Sequence, residues 1–132
     1  MHKFKLLLIV SALLLNANLV RAACKSNVTL NIKSTGYSGP INIELRSGLR
    51  PGSKIVQQGT VMTTGTMKAS NICPAKYFFA FSTPDTDLVN ITRHFDVVED
   101  KRGYNNPIIT VTYERRSDPE AQTVAKTKRD DL

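Results

Sequence analysis

The stretch "SNICPAKYFFAF", residues 70–81, decides how this chain is read. A cysteine and a proline lead into Tyr77, Phe78, Phe79 and Phe81, four aromatics within five residues. Tyr77, Phe79 and Phe81 fall on one face of an extended strand, since side chains alternate with period two. Phe78 and Ala80 make the second face apolar as well. A strand buried on both sides has this pattern, and so does an exposed binding patch. Core packing is the expected role of this strand.

Working outward, the same alternation recurs and helical periodicity is nearly absent. Val28, Leu30 and Ile32 alternate with Thr29, Asn31 and Lys33, and Ile41, Ile43 and Leu45 alternate with Asn42, Glu44 and Arg46. Turn-forming "STGYSGP" separates these two strands, and "SGLRPGS" leads into a third, less regular one, "KIVQQGTVM". A fourth strand, "TMKASNIC", follows the turn "TTG" and puts Met67 and Ala69 on one face. Beyond the aromatic strand and "STPDTD", Val89, Ile91, Phe95 and Val97 are expected on a common face, with Arg93 interrupting the series. "EDKRGYNNP" is the longest polar loop, and "IITVTYE" closes the pattern with Ile109, Val111 and Tyr113 together. Seven strands with frequent turns predict an all-β fold, a seven-stranded antiparallel β-sandwich of Ig-like architecture.

The N-terminus reads as a secretory leader over 1–22. Lys3 and Lys5 precede the apolar run Leu6 to Leu15, and Val20 and Ala22 occupy the −3 and −1 positions of a small-residue cleavage site before Ala23. That run is shorter than the about 20 apolar residues a membrane-spanning helix needs, and no other long apolar run follows. Lipoprotein anchoring at Cys24 is disfavoured, because Arg21 in "LVRAAC" stands where such sites carry an aliphatic residue. The domain is placed at 23–114. The polar tail 115–132 is expected to be disordered or a frayed helix, with Ser117 and Glu120 spaced as in a capping box.

Removing Lys3, Lys5 and Arg21 from the 18 basic residues leaves 15 against 11 acidic ones, a net charge of +4. The basic residues are scattered, without the clustered stripe of a nucleic-acid binder, so no nucleic-acid partner is expected. Cys24 and Cys73 are the only cysteines, and in an exported domain an even count predicts one disulfide. A reactive or metal-binding thiol is the competing reading of Cys73.

The run "TTGTMKASNICPAKYFFAF", residues 63–81, resembles the central motif of prealbumin-like sandwiches, including Cna-B-type and carboxypeptidase-regulatory-type domains of exported proteins. Gly65, Ile72, Pro74, Lys76 and Tyr77 fit that motif, Ala75 stands where a glycine is usual, and "GPINIEL" at 39–45 resembles an earlier strand of the same fold. The resemblance implies a spacer, adhesin module or protein-contact unit. It also raises a Lys–Asn isopeptide bond, with Lys33, Asn105 or Asn106, and Glu44 as candidates, although Lys33 alternates to the outward face.

Chemistry is thinly supplied. His94 is the only histidine after the leader, and its neighbour Asp96 lies beside it on a strand, which is not a converging triad. A zinc or copper site wants several His or Cys ligands, and "PDTD" with Asp85 and Asp87 lacks the spacing of a calcium loop. No cofactor and no enzymatic activity are expected. The sequons at Asn27 and Asn90 are read as chance occurrences in Asn- and Thr-rich strands. The expected role is an accessory or binding module of the cell envelope, periplasmic or secreted, that holds a protein partner through a sheet edge and end loops. The candidate contact residues are Asp85, Asp87, Lys101, Arg102 and Tyr104 in loops 82–87 and 99–107. The alternatives are a small-ligand or carbohydrate binder using Tyr37, Tyr104 and the loop acids, and a small enzyme or inhibitor.

Overall fold

The computed structural model describes residues 24–114 and 125–132. The expected leader, its expected cleavage site at Ala22–Ala23 and the expected capping box at Ser117 lie outside the described residues. The chain is nearly all β. Its strands are β1 (Ser26–Thr35), β2 (Pro40–Ser47), β3 (Lys54–Met62), β4 (Gly65–Ile72), β5 (Ala75–Ser82), β6 (Leu88–Ile91), β7 (Phe95–Val97), β8 (Glu99–Asp100), β9 (Gly103–Tyr104), β10 (Ile108–Glu114) and β11 (Ala125–Lys128). A short 3-10 turn, Arg129–Asp131, follows β11.

One sheet has the order β10–β1–β4 and a larger one β11–β6–β5–β2–β3, with β7 also beside β5 and β8–β9 forming a small separate hairpin. All pairings are antiparallel except β1 with β10, which run parallel from Thr29 opposite Ile108 to Thr35 opposite Glu114. The uniformly antiparallel expectation is corrected there. Alternation along one strand sets which side chains face the core but does not fix the direction of its neighbour.

Inward side chains of both sheets merge into one core: Val28, Leu30 and Ile32 of β1, Ile41, Ile43 and Leu45 of β2, Met67 of β4, Tyr77, Phe79 and Phe81 of β5, and Val111 of β10. The chain passes from the larger sheet to the smaller one between β3 and β4. A Cβ on Gly65 would lie under 3.0 Å from the Met62 carbonyl oxygen, so this crossing requires glycine.

β5 is buried on both faces, and each face has its own cover. Phe78 and Ala80 belong to a second cluster with Val89, Ile91 and Leu132. Ala80 is opposite Ile91, whereas Tyr77 is opposite Phe95, so the strand β6–β7 gains one residue on β5 between those points. An inserted residue turns the strand over. Val89 and Ile91 therefore join the outer cluster, while Phe95 and Val97 pack on the inner core. The expected common face for these four residues is corrected by that bulge.

The tail is corrected in part as well. Residues 125–128 are a strand, not helix or disorder, paired with β6 from Ala125 opposite Ile91 to Lys128 opposite Leu88. Leu132, only 5% exposed, closes the outer cluster.

Candidate functional site

Cys24 and Cys73 are joined, with an S–S distance of 1.97 Å. The bridge ties the residues before β1 to the β4–β5 connection, next to the pair Ser26–Ile72. The Tyr77 hydroxyl donates to the Cys73 carbonyl at 2.5 Å. Burial raises the Tyr77 phenol above its ordinary pKa of 10.0. Neither sulfur is available as a nucleophile or a metal ligand.

The candidate contact residues do not form one surface. Asp85 and Asp87 follow the C-terminal end of β5, and Thr83 Oγ1 donates to Asp85 Oδ1 at 2.5 Å. Lys101, Arg102 and Tyr104 belong to the β8–β9 hairpin, which follows β7 at the opposite end of β5, where Val97 faces Ala75. The length of an eight-residue strand, roughly 24 Å, separates the two groups. The hairpin is well braced: Arg102 N–H donates to Asp100 Oδ1, Val98 N–H donates to Asn105 Oδ1, and Ser26 Oγ donates to the Asn105 carbonyl. Tyr104 lies opposite Glu99, and its phenol is raised by desolvation, with the Glu99 carboxylate adding to the effect.

Tyr37 sits past the far end of β1, donating to the Pro40 carbonyl and meeting Tyr113 edge-on at 5.6 Å between ring centres. Tyr104 adjoins Asn105, which is tied to the first residue of β1. A ligand site shared by Tyr37 and Tyr104 is therefore excluded by the ten-residue length of β1. Asp85 instead joins Thr83, Leu88, Asn90, Tyr113 and Lys126 around an open groove of about 360 Å³.

Lys33 is exposed opposite Thr112, while Asn106 Oδ1 accepts from the Asn27 N–H at the start of β1. The side chains needed for an isopeptide bond are thus not together. Glu44 is committed elsewhere, accepting from Arg46 at 2.8 Å and from Arg129 at 3.1 Å. His94 packs on Phe78, with ring centres 4.9 Å apart, and its buried Nε2 has no hydrogen-bond partner among the described residues. Asp96 points away into an ion pair with Lys76 at 3.3 Å. Asn90 is 6% exposed and donates to the Phe81 carbonyl, a poor position for a glycan. Among the described residues no three His, Cys, Asp or Glu side chains group as metal ligands, and no helix is long and apolar enough to cross a membrane.

Residue types alone do not tell which sheet edge is open, and the structure places one at β3. Among the described residues this nine-residue strand pairs with β2 alone. Leu45 is opposite Gln57 and Arg46 opposite Ile55, so Val56 is an inserted residue. Past that bulge the strand runs regularly to Met62. Ile55, Val56 and Met62 are 49%, 45% and 63% exposed, and Leu49 in the preceding turn is 67% exposed. Of the described sheet edges, β4 and β11 carry no exposed large apolar residue and β10 carries one, Ile108. On the outer face beside β3, Asn42, Glu44, Gln58, Thr60 and Arg129 line a polar groove of about 360 Å³. The sequence signal was present in "KIVQQGTVM": apolar residues at both ends with uncharged glutamines between and no proline.

No protein-family model matches the chain. No curated protein matches it either.

Proposed function

We propose that this chain is an exported, non-enzymatic binding module of the cell envelope that takes a protein partner along the free edge of β3. The observation that carries this reading is that one long strand combines a backbone edge unpaired among the described residues with exposed Ile55, Val56 and Met62. An added strand from a partner would satisfy the backbone groups of the edge, and alternate side chains would find the apolar positions. The end loops contribute specificity rather than a single joint surface. Export is supported by the leader-like N-terminus and by a disulfide, which persists in the periplasm or outside the cell.

We read the underlying architecture as a prealbumin-like sandwich. β1, β2, β3, β4, β5, the interrupted β6–β7 and β10 are its seven strands, and β8–β9 and β11 are additions to that plan.

Capture of envelope proteins by the folded chain, compared with Ile55→Lys and Met62→Lys variants, tests the reading. Both variants are exposed substitutions and should shift stability by only about 0.5 kcal/mol, while the captured protein disappears. Unchanged capture by both variants contradicts the β3 assignment. A small-ligand role is favoured by one observation, the groove beside Asp85 and Tyr113. It requires thermal stabilisation by a small molecule in the absence of any protein.

A further inference from the structure

We propose that the surface covered by residues 125–132 is an exchangeable peptide site, and that the same segment of a second copy of this chain is its other occupant. The segment starts on the sheet edge opposite β3 and crosses the outer face to Ser53, and the proposal does not depend on the reading given for β3.

Four separate attachments hold the segment. β11 extends the sheet by pairing with β6. Leu132 fills the cluster of Phe78, Ala80, Val89 and Ile91. The Leu132 carbonyl accepts from the Ser53 N–H at 2.9 Å and from Ser53 Oγ at 2.5 Å. Arg129 donates to both oxygens of Glu44, at 3.2 and 3.1 Å, and its Nη2 lies 3.4 Å from Ser82 Oγ. The receiving side is braced in turn, with Arg46 donating to Ser53 Oγ at 2.8 Å and to Glu44 at 2.8 Å.

Apart from the Leu132 N–H bond to the Arg129 carbonyl, these attachments run from the segment to the body of the fold. An identical segment on another chain can make every one of them without new chemistry, the condition under which strands exchange between copies. The body has reason not to stay empty. Removing the segment would uncover Phe78, Ala80, Val89 and Ile91, free the edge of β6, and leave Glu44 paired with Arg46 but without Arg129. A second copy is favoured over a foreign peptide because the site matches this sequence in three ways at once: a strand register, an arginine for Glu44 and a leucine three residues later. Ten residues, 115–124, separate β10 from β11 in sequence, and a chain of that length spans at most about 36 Å. Covalently linked partners compete with free ones at effective concentrations on the order of millimolar, so exchange should appear only at comparable protein concentrations.

The test is charge complementation. Glu44→Arg and Arg129→Glu each set like charges against one another within a single chain. Mixed and refolded together at about 1 mM, the two full-length variants regain an opposite-charge pair at both sites only by exchanging segments. The expected product in native mass spectrometry is a dimer with one chain of each kind, absent from either variant alone. Two folded variants that stay monomeric together overturn the proposal. Because Glu44→Arg alters a buried position and can fail to fold, wild-type chains with and without nitrogen-15 provide a second measurement. Co-refolded at the same concentration, they should give a mixed-isotope dimer that Arg129→Glu reduces at least several-fold. Monomer alone, or a dimer indifferent to Arg129→Glu, overturns the proposal equally.

Discussion

Phe79 and Thr92 are joined twice across the break between β6 and β7. The Phe79 N–H donates to Thr92 Oγ1 at 2.9 Å, and the Thr92 N–H donates to the Phe79 carbonyl at 2.9 Å. A bulge interrupts the regular ladder. Here a hydroxyl replaces the missing backbone acceptor, so a buried N–H is not left bare.

Thr92→Val should therefore destabilise the fold by about 1–3 kcal/mol, the cost of leaving a buried donor unsatisfied. Thr92→Ser should retain most of the stability. Urea unfolding checks this, with a lower midpoint for Val and little change in slope. Equal losses in the two variants would mean that the methyl group, and not the hydroxyl, is what matters.

The two faces of β5 should respond differently. Phe79 is fully buried in the inner core and stacks on Phe95 at 5.7 Å between centres. Phe79→Ala should cost roughly 3–5 kcal/mol of global stability. Leu132→Ala should instead release β11, raising hydrogen exchange at 125–128 and along β6 while core amides stay protected. Uniform loss of protection in both variants would contradict separate inner and outer clusters.

The alternating strands β1, β2 and β10 were legible in the sequence because each buries one face, so apolar residues recur at every second position. The bulge was not. "TRH" at 92–94 shows only an interrupted apolar series, and period-two alternation cannot tell an interruption from an insertion. The identity of the cover on the outer face was hidden for a different reason. "AKTKRDDL" has a single large apolar side chain, Leu132, and its docking depends on Glu44 and Ser53, both far away in sequence. The disulfide was legible from a count of two, whereas the free edge at β3 depends on which strands become neighbours. Charge and polarity single out the candidate loops but carry no information about the end of the fold to which each belongs.

Alkaline pH provides a third check. The phenol is neutral when protonated, and folded Tyr77 keeps its proton to higher pH than the ordinary value of 10.0. The unfolded chain releases that proton first. The contribution to stability is thus complete below pH 10 and is lost as pH rises through the folded pKa. Tyr77→Phe should flatten the fall in stability above pH 10, at a cost of about 1 kcal/mol for the hydrogen bond to Cys73. An identical alkaline slope in both proteins would contradict this.

The bridge closes a loop across a sequence separation of 49. Chain entropy assigns such a loop about 4 kcal/mol, so a Cys24→Ala, Cys73→Ala double variant should unfold at clearly lower denaturant concentration. Stability within 1 kcal/mol of the parent, an order-of-magnitude threshold of roughly a quarter of that figure, would show that the unfolded chain is already restrained there.

Site-specific photo-cross-linking in intact cells bears most directly on the role proposed for this protein. A photoreactive residue would be placed in turn at Gln58, Thr60 and Met62 on β3, at Asp87 and Lys101 in the end loops, and at Lys33 on the opposite sheet. Strand addition predicts one shared envelope-protein adduct from the β3 positions, weaker adducts from the loops, and none from Lys33. Adducts confined to the loops, or no adduct from β3 in well-expressed protein, would contradict it.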